Sequence, residues 1–375
     1  MKKSFQISAI LTLCFALLLN STVFACTGIR LIAEDGSVRY GRTMEWGAFD
    51  LFSKVTIVPQ NYVFKGLTPE GNNGKEFKAK YGIVGLDMIN KDLLVDGMNE
   101  AGLAVGLFYF PSTPKYNEFK PENAANTISA QDLVNYLLTQ YSTIEEIKEG
   151  LPKIDVVGVV EAAIGIEVDS HWMVTDKTGA SIVIEYINGQ LVINDAPLGV
   201  ITNAPTYDWH MNNLRNYLNL SFEGAPSKTI EGVKFTQTGM GSGMVGLPGD
   251  MTPPSRFVRA VAWTQTTRPM ENSDESLYEM FRILDNFNLT LGADRAEGTG
   301  EMFGKDHSTM RSATIWTTSW DVTNLVFDYH TQDNRRVQQI DLNNIDFSDM
   351  GDELVRIPLD IERTQDILDR TPNLK

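Results

Sequence analysis

The chain has 375 residues, 42% of them hydrophobic and 21% charged, the profile of a globular protein long enough to bury a large core. Its formal net charge of −16 and the lack of any basic run argue against nucleic-acid binding. Beyond the N-terminal segment, no stretch approaches the roughly 20 apolar residues that a membrane-spanning helix needs.

The first segment reads as a secretory signal peptide. Lys2 and Lys3 form a basic start, "ISAILTLCFALLL" an apolar middle, and Val23 and Ala25 a small-residue cleavage pattern. A cut after Ala25 predicts a signal peptide at 1–25, a single domain at 26–375 and an exported protein, periplasmic or secreted. It also removes Cys14, leaving Cys26 as the first residue and the sole cysteine, with no internal disulfide possible. A lone thiol in an oxidising compartment points to reactivity more than to packing. "VFAC" also loosely fits a lipobox, although Phe24 fits it poorly. A lipid on Cys26 would remove the free thiol, so a lipid-anchored or soluble non-catalytic binding protein stands as the alternative class.

From Cys26 onward, strands are expected at 27–33 and 37–44 around the turn "EDGS", then at 54–59, 81–88, 102–110, 164–168, 172–176, 181–187, 190–194, 313–320 and 323–330. Apolar spacing predicts a helix at 129–141, and Ser142 with Glu145 a capping box opening another at 142–151. Two more helices are expected at 255–267 and 274–287, and long loops at 64–79, 111–128 and 292–310. Strands and helices in separate groups predict a layered α+β domain instead of a doubly wound βα repeat. "GSGMVG" at 241–246 matches a dinucleotide fingerprint in letters only, because "LPGD" follows where a helix should begin.

Metal chemistry lacks a recognisable ligand set, since the histidines at 171, 210, 307 and 330 show no H-E-x-x-H or paired Cys/His spacing. No metal and no cofactor is expected. A papain-like arrangement could nominate His171 or His210 only by default, and both read as core or surface histidines. An N-terminal cysteine needs neither, because its own α-amine, with a reference pKa of about 7.7–8.0, is a base at neutral pH. It still requires a cation near sulfur, an acceptor for the amine and donors for an oxyanion. "GRTMEW" at 41–46 lies on the strand returning beside Cys26 and brings Arg42 and Glu45 near it; a surface ion pair is the competing reading.

Five ordered segments carry a family resemblance: "CTGIR" at 26–30, "GRTMEW" at 41–46, "DGMNEAGLAVGLFYFP" at 96–111, "GVITNAPTYDWHMNNLRNY" at 199–217 and "GLPGDMTPPSRFVRA" at 246–260. Together they resemble the choloylglycine hydrolase family of N-terminal-nucleophile amidases, which includes penicillin V acylases and bile salt hydrolases. The resemblance implies a four-layer αββα sandwich and a hydrolase of linear amide bonds without a cofactor. It implies Cys26 as nucleophile, Arg42 as the cation beside it, the Tyr109 N–H and the Asn203 side chain as oxyanion donors, and Arg256 as a second site arginine. Glu45 stands where better-known members have Asp, and the inferred task of its carboxylate is to hold the α-amine of Cys26.

Met44, Trp46, Phe49, Phe108 and Phe110 are the candidate walls of an acyl pocket. Tyr109, which resembles the penicillin V acylases where bile salt hydrolases usually have Asn, favours penicillin V. Conjugated bile salts and N-acyl homoserine lactones are the alternative substrates. The resemblance further implies a homo-oligomer, often a tetramer.

Overall fold

β1 (Thr27–Ile32) and β2 (Val38–Gly47) form an antiparallel hairpin in which Thr27 faces Thr43 and Gly28 faces Arg42. Its turn closes through Gly36 N–H donating to the Ala33 carbonyl at 3.0 Å, with Gly36 at φ +85°, a conformation that suits glycine. This computed structural model describes residues 26–47, 51–162, 166–290, 301–302, 305–306 and 312–372. The predicted signal peptide, Phe49, His307 and most of the 292–310 loop therefore lie outside the described residues.

The strands of the two main sheets continue with β3 (Lys54–Val58), β4 (Ile83–Asp87), β5 (Leu94–Asn99), β6 (Ala104–Tyr109), β7 (Ser170–Thr175), β8 (Ser181–Ile187) and β9 (Gln190–Asp195). They end with β10 (Val200–Ile201), β11 (Ser312–Asp321), β12 (Val326–Thr331), β13 (Gln338–Asp341) and β14 (Val355–Pro358). One sheet has six strands in the order β10-β1-β2-β11-β12-β13, and the other eight in the order β9-β8-β7-β6-β5-β4-β3-β14. Helix α1 (Leu133–Gln140) packs on β5 and β6, followed in the chain by α2 (Ile144–Gly150) and α3 (Tyr207–Asn213). Helices α4 (Pro253–Thr266) and α5 (Ser273–Leu284) cover the six-stranded sheet through β1, β2 and β11.

Helices outside and sheets inside make the αββα sandwich, and the inner faces meet closely. A Cβ on Gly106 of β6 would stand 1.9 Å from the Tyr40 hydroxyl of β2, so that position has room only for glycine. Tyr40, Trp320 and Phe108 fill this interlayer core and are fully buried.

Several local expectations shift. Strand β5 was not expected, because all six of its residues are buried and show no alternation. Of its two polar residues, Asn99 donates through Nδ2 to the Leu138 and Tyr141 carbonyls at 2.8 Å each, while Asp96 keeps one buried oxygen, Oδ1, without a hydrogen-bond partner. The expected capping box at Ser142 and Glu145 does not form; the helix is capped one residue later by Thr143, whose Oγ1 accepts from Glu146 N, while Glu146 Oε2 accepts from Ser142 N, the residue before the cap. That register buries Ile144 and Ile147. The expected loop 64–79 contains a short hairpin, Val63–Lys65 with Glu76–Lys78, whose buried Phe64 and Phe77 stack at 5.4 Å.

Candidate active site

Cys26 precedes β1 and is 2% exposed. Continuing the hairpin register puts it opposite Met44, and the two sulfurs stand 3.9 Å apart. The Cys26 nitrogen donates to Asn203 Oδ1 at 2.9 Å, and its carbonyl accepts from Arg256. In the uncut chain that nitrogen is a peptide amide and can only donate; a cut after Ala25 would turn it into an amine.

Arg42 projects from β2 across the interlayer space. Its guanidinium lies 4.3 Å from the Phe108 ring centroid and 5.4 Å from that of Trp316. The β5–β6 register is recorded at Asp96 with Gly106, Gly97 with Val105 and Met98 with Ala104. Just beyond it, Arg42 Nη1 donates to the carbonyls of Val95, at 3.2 Å, and Leu107, while Nη2 approaches Met44 Sδ at 3.7 Å. The Met44 thioether thus touches both guanidinium and thiol. Burial works against the charge of Arg42, but Cys26, Tyr40, Asp96 and Glu45 around it hold its pKa above the usual value.

One of these neighbours, Asp96 of β5, is fully buried. Its Oδ2 accepts from Thr318 Oγ1 and Trp320 Nε1 at 2.7 Å each. Burial raises its pKa to about 6, opposed first by the charge of Arg42 and then by those two hydrogen bonds. It is the second carboxylate of the buried centre, and no sequence reading singled it out, although it opens the quoted "DGMNEAG" segment.

Arg256 comes from the first turn of α4 and is 1% exposed. It donates to Met251 O at 2.9 Å, Thr27 Oγ1 at 3.0 Å and Asn203 Oδ1 at 2.6 Å, besides the Cys26 carbonyl. Burial lowers its pKa to about 10, against the opposing pull of Glu45 and Cys26. Asn203 follows β10; its Oδ1 receives both Cys26 N and Arg256, and its Nδ2 donates to the Tyr109 carbonyl at 2.7 Å. That uses one of the two Nδ2 hydrogens and leaves the second for another acceptor. Phe110 N–H donates to Asp169 O, so alternation along the strand turns the Tyr109 N–H to the opposite edge, where the Leu107 carbonyl meets Arg42.

Glu45 sits at a β-bulge. Met44 pairs with Trp316 and Glu45 with Thr314, leaving Ile315 as the extra residue, and such bulges re-aim side chains. Its Oε1 accepts from Thr314 Oγ1 at 3.1 Å, while buried Oε2 lacks a hydrogen-bond partner. Burial raises its pKa to about 7, opposed by Arg256, by hydrogen bonds from Thr43 and Thr314, and by Arg42. The acceptor on the Cys26 nitrogen is Asn203, not Glu45 as expected from the family resemblance. An amide nitrogen has one proton to offer and Asn203 takes it; an ammonium group would offer more. Burial, followed by Arg42 pulling the other way, leaves the Cys26 thiol pKa raised, with the Glu45 carboxylate adding to the rise.

Cys26, Arg42, Glu45, Asn203 and Arg256 therefore converge, joined by the main chain of Tyr109. The pocket candidates divide. Met44 contacts the thiol, and Trp46 is buried on the same strand. Phe108 is fully buried beneath Arg42, and Phe110 lies flat on His171 at 4.1 Å, so both are packed in the core instead of lining an open pocket. Among the described residues, no group of three or more His, Cys, Asp or Glu could hold a metal ion.

Residues 26–356 match the family model described as linear amide C–N hydrolases, choloylglycine hydrolase family. The chain is 32% identical over 320 residues to a bile salt hydrolase/transferase of Clostridium perfringens, covering 85% of this chain and 92% of that protein. It is 25% identical over 337 residues to penicillin V acylase of Pectobacterium atrosepticum, covering 85% and 80% respectively. The crystal structure of a mutant conjugated bile acid hydrolase from Clostridium perfringens superposes with a TM-score of 0.78 at 29% identity, over 92% of this chain and all of that one.

Proposed function

The chain belongs to the choloylglycine hydrolase family and is a linear amide C–N hydrolase, and from that premise we propose that Cys26, freed by a cut after Ala25 during export, is its N-terminal nucleophile. The observation that carries this reading is the double hold on Cys26: its nitrogen on Asn203 Oδ1 and its carbonyl under Arg256, residues far away in sequence. A peptide amide at that nitrogen has no basic lone pair, whereas the amine produced by the cut does. The amine takes the thiol proton, and the thiolate forms beside Arg42 and Arg256, whose charges favour it.

The thiolate adds to the acyl carbon, and the resulting oxyanion takes hydrogen bonds from the Tyr109 N–H and the second Asn203 Nδ2 hydrogen. The ammonium group then gives its proton to the leaving nitrogen as the C–N bond breaks. Water hydrolyses the thioester, releasing an acid and regenerating the thiol. With free ammonium protons available, the unpartnered Oε2 of Glu45 offers the amine a second acceptor.

The substrate reading is a penicillin V-like acyl amide, supported by Tyr109 at the position where the resemblance gives penicillin V acylases Tyr and bile salt hydrolases Asn. Conjugated bile salts are the second reading, favoured by the 32% identity to a bile salt hydrolase/transferase. Kinetics of phenoxymethylpenicillin, glycocholate and an N-acyl homoserine lactone on one preparation separate them: the highest kcat/KM identifies the acyl class. Cys26→Ala should abolish turnover of all three, and retained turnover would remove Cys26 from the reaction.

Self-association is proposed through the 214–250 excursion. Leu218, Phe222, Phe235, Met240 and Val245 are all exposed there, a density of apolar side chains that suits burial against a second copy. Sedimentation of wild type against a Phe222→Asp, Phe235→Asp double variant tests it: the variant should sediment as a smaller species, and equal sedimentation would remove the excursion from the interface.

A further inference from the structure

Two buried histidines, outside the catalytic cluster, meet the main chain that carries Asn203. His171 of β7 is 1% exposed and His210 of α3 is 2% exposed. His171 Nε2 lies 3.0 Å from the Thr202 carbonyl, and His210 Nε2 lies 2.8 Å from the Asn203 carbonyl. A carbonyl oxygen only accepts, so each Nε2 must carry its proton. Consecutive peptide carbonyls are thus held by donors from two different layers of the fold.

Both rings are fixed in place. His171 stacks on Phe110 at 4.1 Å with 2° between the planes, and His210 stacks on Phe257 of α4 at 4.7 Å and 12°. His171 Nδ1 faces Glu185 Oε1 at 3.3 Å, and the same oxygen accepts from Tyr207 N at 2.9 Å, the first residue of α3. One carboxylate therefore ties the His171 ring to the helix that carries His210. His210 Nδ1 has no partner, and burial lowers the ring's pKa to about 4, which keeps it neutral with the proton on Nε2. Thr202 Oγ1 completes the hold by donating to Pro253 O at 3.1 Å, at the start of the helix bearing Arg256.

We propose that His171 and His210 are positioning residues of the hydrolase: they clamp the Thr202 and Asn203 carbonyls so that the Asn203 amide spans Cys26 N, Arg256 and the Tyr109 carbonyl. This proposal rests on the Cys26 reading above. Asn203 has to present its oxygen to the amine and its nitrogen to the oxyanion, and a swing of its backbone would spoil both. Neither histidine touches the thiol or the substrate carbonyl in this scheme. Their effect passes entirely through Asn203.

The test is a double-mutant cycle of His210→Phe with Asn203→Ala, using whichever amide the wild type hydrolyses best. Phenylalanine keeps the stack on Phe257 and removes the donor. Loss of one such hold should lower kcat roughly tenfold with KM little changed. In the Asn203→Ala background, His210→Phe should cost nothing further, because there is no amide left to position. His210→Gln, which can place a donor near the Nε2 position, should recover much of the rate. A second readout needs no turnover: the pH midpoint of Cys26 alkylation by iodoacetamide should rise in His210→Phe, because a poorly held ammonium stabilises the thiolate less. If His210→Phe does not fold, His171→Phe carries the same cycle from the other side of the clamp.

An equal fold-loss in both backgrounds with an unmoved alkylation midpoint would make the histidines merely structural and overturn the proposal. Failure of the Cys26 reading would look different. Cys26→Ala would then retain activity, whatever the histidines do.

Discussion

The two sheets contribute to the centre in different ways. The six-stranded sheet and its flanking segments bring the side chains: Cys26 ahead of β1, Arg42 and Glu45 on β2, Asn203 after β10 and Arg256 from the helix packed behind. The eight-stranded sheet brings main chain and counter-charge: the carbonyls of Val95, Leu107 and Tyr109, and the buried Asp96. In the proposed mechanism one layer carries the reactive groups, while the other fixes where they stand. Substitutions on the first should therefore strike turnover, and those on the second should strike stability or positioning before chemistry.

The largest effect separating these roles is expected at Asn203. In the proposed mechanism Asn203→Ala removes one oxyanion donor and the acceptor on Cys26 N, so kcat should fall about 10²- to 10³-fold, a loss exceeding the change in unfolding free energy. An unchanged kcat in steady-state kinetics would remove Asn203 from the mechanism and blur the contrast between the layers. Asp96→Ala on the opposing sheet should invert that pattern. It leaves the buried Thr318 hydroxyl and Trp320 indole N–H without their acceptor, and a loss of about 2 kcal/mol in denaturant unfolding is expected, exceeding the change in activation free energy. A variant with wild-type stability and severely lowered kcat would move Asp96 into the catalytic group.

A smaller effect compares the two buried carboxylates. Both have folded-state pKa values above their ordinary ones, Glu45 about 7 and Asp96 about 6, with burial the main cause. The folded state therefore binds more protons than the unfolded state between about pH 4 and 7. Their protonation favours the fold: that contribution is fully present below their unfolded pKa values and is lost as pH rises through 6 and 7. Unfolding free energy should decline over this window, and Glu45→Gln should flatten the upper part of the decline near pH 7. An unaltered pH profile of stability would place the Glu45 pKa elsewhere.

How much of this could be read in advance follows from how each residue signals itself. The β1–β2 hairpin was legible because "EDGS" punctuates two strand-like runs, and it placed Arg42 and Glu45 beside Cys26. Strand β5 was not, since burial on both faces erases the alternation that marks a strand. Asp96 was hidden with it: within an apolar strand, a carboxylate looks like an interruption until Thr318 and Trp320 from another layer supply its hydrogen bonds. Asn203 was found as a residue, but the direction of its amide was not, because only three-dimensional neighbours determine which end is oxygen. His171 and His210 read as ordinary core histidines, and their relation to Asn203 depends on contacts between layers that no local pattern records.

The measurement that bears most directly on the central claim compares two forms of the purified chain, one beginning at Cys26 and one retaining Ala25 ahead of it. Intact mass establishes the first residue of each, and hydrolysis of the amide panel is followed on both. The expected result is turnover only in the form with an unmodified Cys26 amine, with the extended form folded but inactive. Equal turnover by the extended form would show that the reaction does not need the α-amine and would contradict the N-terminal-nucleophile account.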